Sequence, residues 1–213
     1  MILLTGFEPF GGDSTNPSWT AVLQAARMLR AEGLTVETVE LPCVFGESVD
    51  VLIQAIEAHQ PELVLSVGLA GGRSRISLER VAINCDDARI PDNKGNRPID
   101  QEVVPGGPAA YFCTLPIKSA LRSLQIEGIK GEVSQSAGTY VCNHVFYALM
   151  HALKDRAGTR GGFVHVPYAS EDLVQGSTAP SMPVESMARG IAVVVRTAAQ
   201  TGTDAKLSAG AIH

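Results

Sequence analysis

The sequence predicts an α/β protein, built as one open, twisted, mostly parallel sheet with helices on both faces. Three observations carry this expectation. Short apolar runs of strand length alternate with longer stretches of helical period along the chain. Some of the runs, such as "MILLTG" and "PELVLSVG", are almost continuously apolar, as strands covered on both sides are. The helical stretches between strands supply the crossovers that parallel pairing requires.

The elements follow in order. "MILLTG" reads as a buried strand ending at Gly6. "PSWTAVLQAARMLRAEG" reads as a helix, with Asn16 as its N-cap, Pro17 at the first position and Gly33 past its end. "LTVETVELP" alternates like a strand, "ESVDVLIQAIEAHQ" is helical, "PELVLSVG" is a strand, and "ISLERVAIN" alternates again. Residues 84–109 form a polar stretch rich in Asp, Gly, Pro and Asn, longer than an ordinary connection, and read as a functional loop or lid. "PIKSALRSLQIEG" is a helix, "GEVSQSAG" a strand, "CNHVFYALMHALKDR" a helix and "GGFVHVP" a short strand. "PVESMARGIAVVVRTAAQ" is the closing helix, and residues 202–213 read as a fraying tail.

With 213 residues, no internal repeat and no linker-like shift in composition, a single catalytic domain over 1–213 is expected. Hydrophobic residues at 45% and charged residues at 18% exclude a disordered chain. A net charge of −5 without a Lys/Arg cluster argues against nucleic acid or an anionic membrane surface as partner. No apolar run approaches the ~20 residues of a membrane span. The N-terminal segment carries no basic leader, so a reducing cytoplasm is expected, with Cys43, Cys85, Cys113 and Cys142 all free.

Ligands of open α/β sheets bind beyond the carboxyl ends of strands. Thr5–Gly12, Gly68–Arg73, Ala137–Cys142 and His165–Tyr168 all follow predicted strands and are expected near one edge. "GFEPFGG" stands where a phosphate loop would, but it lacks both G-x-G-x-x-G and G-K-[ST], and Phe7 and Phe10 suit a small apolar pocket better.

Cys142 follows a strand-like segment and opens a helix. A helix start offers unpaired N–H groups and partial positive charge, both of which favour a thiolate. The bland alternative is a small apolar residue packed at the helix start. A thiolate nucleophile needs an imidazole. Of the five histidines, His165 ends a strand at the edge that should present Cys142, His144 sits two residues into the same helix and should point elsewhere, and His59, His151 and His213 are peripheral. Glu79, Asp86 and Asp87 are all candidates to orient the imidazole. No H-x-x-x-H or C-x-x-C spacing suggests a metal, and no cofactor is called for.

Four segments together resemble the pyrrolidone-carboxylate peptidases, or pyroglutamyl peptidases I, a family of cysteine exopeptidases: "LLTGFEPFGGDSTNPSW", "VGLAGGRSRISLERVAIN" followed by "DDARIPDN", "SAGTYVCNHVFY", and "GGFVHVPY". The similarity runs in the same order from residue 1 to about residue 200. The resemblance implies a triad of Cys142 as nucleophile, His165 as general base and acid, and Glu79 orienting the imidazole. It also implies a pocket for the pyroglutamyl ring from Phe7, Phe10, Ile90, Tyr140 and Val141, with Arg89 considered for oxyanion stabilisation. Peptides with N-terminal pyroglutamate are the implied partners, and a homo-oligomer, a tetramer, the implied assembly. The family pattern commonly reads V-G-Q-A-G-G-R, whereas this chain has Leu69 in "VGLAGGR", which bears on affinity more than on chemistry. Two rival readings are a glutamine amidotransferase-like enzyme, which would hand ammonia to a second domain for which the chain has no room, and a binding module in which Cys142 merely packs.

Overall fold

The computed structural model describes residues 1–210. Its centre is a six-stranded sheet made of β1 (Ile2–Phe7), β2 (Val36–Leu41), β3 (Leu63–Leu69), β4 (Ile76–Glu79), β7 (Gly131–Ser134) and β8 (Arg160–Val166), in the order β2-β1-β3-β8-β4-β7. All neighbours are parallel except β4 and β8. The inner strands β1, β3 and β8 are buried almost throughout, which is why their sequences are continuously apolar and do not alternate.

Five helices cover the two faces. On one side lie α1 (Pro17–Ala31), α3 (Ile117–Ile126) and α5 (Val184–Gln200), which share a core with Leu4, Leu65, Ile76 and Val164. On the other lie α2 (Glu47–His59) and α4 (Val141–Leu153), packed on Leu3, Val64 and Phe163. Alternate residues of the same strands thus feed the two cores. The start of α1 follows the expected chemistry: the Asn16 side chain accepts from Ser18 N–H, and Pro17 fills the first turn, where no N–H is needed.

Four segments add to or differ from the sequence expectation. "ISLERVAIN" is two strands: β4 ends at Glu79 inside the main sheet, and β5 (Val81–Ile83) pairs antiparallel with a short strand, β6 (Ala110–Phe112), in a separate ribbon. All four β4 residues are buried, so the apparent alternation does not describe a half-wet strand. A further pair, β9 (Tyr168–Ala169) and β10 (Ser181–Met182), is too short for any periodicity to announce it. The stretch 84–109 is irregular but tied down, by the Asp86–Gln101 bridge and by Asp92, whose carboxylate accepts from Phe45, Lys94 and Asn96 N–H. Past α5, residues 202–210 form no helix or strand yet are docked: Asp204 accepts from Lys118 and Ser119 N–H at 3.1 and 2.8 Å, capping α3 from across the molecule. The end of the expected tail, 211–213, lies outside the described residues.

Strand direction also differs at one point. Because β4 runs against β8, and β7 runs with β4, the segment after β7 does not leave from the carboxyl ends of β1, β3 and β8. Residues 135–140 must carry the chain back to that edge before α4 begins.

Candidate active site

Cys142 is the second residue of α4, whose first helical bond runs from His144 N–H to Tyr140 C=O at 3.1 Å. The N–H groups of Val141, Cys142 and Asn143 therefore precede any intrahelical acceptor and are available at the helix start. The residues beside the cysteine clamp that start in place. Asn143 is fully buried, accepts from Ile83 N–H at 3.0 Å and donates to Ile83 and Cys85 C=O. His144, also buried, bonds Asp86 through Nδ1 at 2.7 Å and accepts from Gly46 N–H through Nε2 at 3.0 Å. With Nε2 taken as an acceptor, His144 is committed to structure, and the expectation that it stands apart from the chemistry agrees with this geometry.

The clamp turns the thiol onto the sheet. A methyl group placed on Gly68 would lie 2.7 Å from Cys142 Sγ, so the sulfur rests against the β3 backbone at a place only glycine leaves open. Gly68 is the register partner of His165 on β8. His165 in turn lies beside β4, opposite Ser77. Glu79, two residues on and on the same face as Ser77, is a diagonal neighbour, at a separation long side chains can span. Its Oε1 lies 2.7 Å from His165 Nδ1. The antiparallel placement of β4 puts these two groups together, and both are buried. Glu79 also takes Arg73 Nη1 on Oε1 at 2.7 Å, not the Arg75 or Arg80 that a wet strand face would have offered. Of the other acids considered for the imidazole, Asp86 bonds His144, and Asp87 is exposed on the loop, where its backbone bonds Thr139.

Burial pushes the Cys142 thiol well above its ordinary range; Cys43 and Glu79 add to this, and Arg73 opposes it. Burial thus opposes what the helix start favours, and a base beside the sulfur would help it lose its proton. Burial likewise pushes Cys43 and Cys113 up to about 12, and all four cysteines are free.

The aromatic residues divide by depth. Phe10 and Phe45 both pack on Tyr140, with ring centroids 6.3 and 5.4 Å away, and the Tyr140 hydroxyl donates to Pro91 C=O at 3.1 Å. Phe7 and Val141 are buried in the core below, Phe7 against Phe163. Ile90 is 49% exposed, and Arg89 is exposed beside it on the 84–109 loop. Leu69 ends β3 and lines a cavity of about 260 Å³ with Asp13, Thr15, Tyr168 and Asp172. The sequence reading missed Phe45, which no pattern marks, and the roles of Asn143 and Arg73. A glycine inside the apolar run "LVLSVGL" was the available signal for the close approach at Gly68.

A thiol resting against β3, and on the neighbouring strands a buried imidazole bonded to a carboxylate, are the groups a cysteine hydrolase uses, and that is the class to which the fold and the site point. Comparison with known proteins narrows it. The family model described as pyroglutamyl peptidase matches residues 1–201, and the chain belongs to that family. The pyrrolidone-carboxylate peptidase of Clavibacter michiganensis is 52% identical over 99% of this chain and 98% of its own, and that of Klebsiella pneumoniae is 51% identical over 100% and 99%. Among solved structures, pyroglutamyl peptidase I from Bacillus amyloliquefaciens superposes with a TM-score of 0.91 at 44% identity, covering 97% of this chain and 98% of that one. The pyrrolidone carboxyl peptidase of Thermococcus litoralis gives 0.89 at 36% identity, over 97% and 98%.

Proposed function

We propose that Cys142, His165 and Glu79 carry the reaction of this pyroglutamyl peptidase, the hydrolytic removal of an N-terminal pyroglutamyl residue from peptides and proteins. The observation that carries the assignment is the 2.7 Å contact between Glu79 Oε1 and His165 Nδ1, on the strand residue paired with the glycine against which Cys142 rests.

With Nδ1 held by Glu79, His165 Nε2 is left to accept the thiol proton. Cys142 Sγ attacks the carbonyl carbon of the pyroglutamyl residue, and charge moves onto the oxygen. The free N–H groups at the start of α4 are the donors for that oxyanion, with Arg89 the side-chain candidate. His165 then protonates the departing amine as the amide bond breaks, leaving a pyroglutamyl thioester on Cys142. His165 next takes a proton from water, which attacks the thioester; pyroglutamate leaves and the thiol recovers its proton.

Phe10, Tyr140 and Ile90, over Phe7 and Val141, form the proposed wall for the lactam ring. A neutral lactam fits such a wall, whereas a free α-ammonium would be buried unpaired there at a cost of several kcal/mol. The same reading makes the protein a cytoplasmic homo-oligomer, a tetramer. The free thiols support the compartment. Among the described residues no helix is long and apolar enough to cross a membrane.

The deciding experiment compares kcat/KM for the pyroglutamyl, prolyl, glutaminyl and glutamyl arylamides. The pyroglutamyl compound should exceed the others by ~10³-fold or more, as sites built around a substrate's polar groups discriminate. Comparable turnover of the prolyl or glutaminyl compound would mean that the pocket does not read the lactam.

A further inference from the structure

Arg73 lies in the turn after β3, with its N–H on Ala70 C=O. Its guanidinium makes two contacts that join separate parts of the site. Nη1 donates to Glu79 Oε1 at 2.7 Å, the same oxygen that His165 Nδ1 meets at 2.7 Å. Nη2 donates at 3.3 Å to Ser136 C=O, in the connection that brings the chain back from β7 to Cys142. Glu79 is wholly buried, while the Arg73 side chain is 29% exposed. The carboxylate is thus neutralised by a cation that stays partly hydrated, the cheaper way to keep a charge inside.

We propose that Arg73 is a positioning residue of the reaction: it holds the Glu79 carboxylate turned on His165 while anchoring the loop that delivers Cys142. This rests on the assignment of Cys142, His165 and Glu79 above. Oε2 of Glu79 is buried and has no hydrogen-bond partner among the described residues, so both outside contacts of this carboxylate fall on one oxygen. Without Arg73, that buried carboxylate would keep only the imidazole as a partner, and nothing would fix its orientation from the loop side.

The charge has a readable consequence. Four titratable or charged side chains act on the sulfur from the elements packed around it, Cys43 after β2, Arg73 after β3, Glu79 on β4 and Tyr140 at the head of α4, and His165 on β8 is bonded to Glu79. Arg73 is the cation that opposes burial of the Cys142 charge. Removing this fixed positive charge makes proton loss harder for Cys142, which moves the pH profile of kcat/KM in the alkaline direction.

The test is that profile, on a pyroglutamyl arylamide, for wild type, Arg73→Ala, Arg73→Gln and Arg73→Lys. Arg73→Ala and Arg73→Gln should lower kcat more than they change KM, and should move the acid limb up by about half a pH unit or more. Arg73→Lys keeps the charge but cannot reach both oxygens, so it should restore the limb to its wild-type position with a reduced kcat. If Arg73→Ala does not fold or does not turn over, the pH dependence of Cys142 alkylation by iodoacetamide in Arg73→Gln reads the same shift. Profiles that superimpose on wild type after scaling would overturn the proposal, because a merely structural arginine lowers activity evenly across pH. Glu79→Gln separates the two levels. If it is as active as wild type, the triad assignment itself fails; if it is crippled while the Arg73 variants keep the wild-type profile, only the role of Arg73 fails.

Discussion

Gly68→Ala tests the seating of the nucleophile with a single methyl group. The added Cβ would lie 2.7 Å from Cys142 Sγ and 2.9 and 3.1 Å from the Cζ and Cε1 atoms of Phe163. Ordinary contacts between such atoms are about 3.5–4.0 Å, so the sulfur or the strand must give way by about 1 Å. Phe163 transmits part of the strain, since its ring centroid is 4.9 Å from that of His165. A displacement of about 1 Å at the reacting atoms costs on the order of 10²-fold in rate, and overpacking of this kind costs about 1–3 kcal/mol of stability. The assay is kcat on a pyroglutamyl arylamide, with thermal unfolding in parallel. Gly131→Ala is the matched control: its Cβ would lie 2.7 Å from Leu124 Cδ1, on the α3 side of the sheet. It should lose comparable or less stability and keep its kcat. If Gly68→Ala retains wild-type kcat, the thiol does not work from the position against β3, and the argument that pairs it with His165 through the β3–β8 register collapses.

Three further outcomes are expected. Cys142→Ser should abolish turnover with the fold intact, whereas Cys43→Ser and Cys113→Ser should remain active; near-wild-type rates from Cys142→Ser would remove the nucleophile assignment. His165→Ala should lose on the order of 10²-fold or more in kcat, while His144→Ala should lose much less kcat but about 1–3 kcal/mol of stability, because it leaves buried Asp86 without its partner; the reverse ranking would move the base to α4. Asp204→Ala should cost about 1 kcal/mol in denaturant unfolding by uncapping α3, and no effect would show that the C-terminal segment is not held there in solution.

Much of this architecture was legible in the sequence because its signals are local. The Asn16 cap with Pro17, the unbroken apolar runs of β1 and β3 and the helical period of α5 each depend on residues within a few positions of one another. Cys142 and His165 stood out by their places at a helix start and a strand end, whereas the choice of Glu79 came only through the resemblance of whole segments. From the residues themselves, Glu79, Asp86 and Asp87 remained equal candidates beside His165, since nothing local distinguishes a carboxylate that faces an imidazole from one that does not. Tertiary structure decides that question. The β4 strand lies antiparallel to β8, which sets Glu79 diagonal to His165; β5 turns away after Arg80, which takes the rest of "ISLERVAIN" out of the sheet. The state of the thiol is decided there too. A helix start by itself favours a thiolate, but the sulfur is packed against Gly68, and burial together with the Cys43 and Glu79 charges pushes its pKa up, an effect set by everything around the group and not by the helix it belongs to.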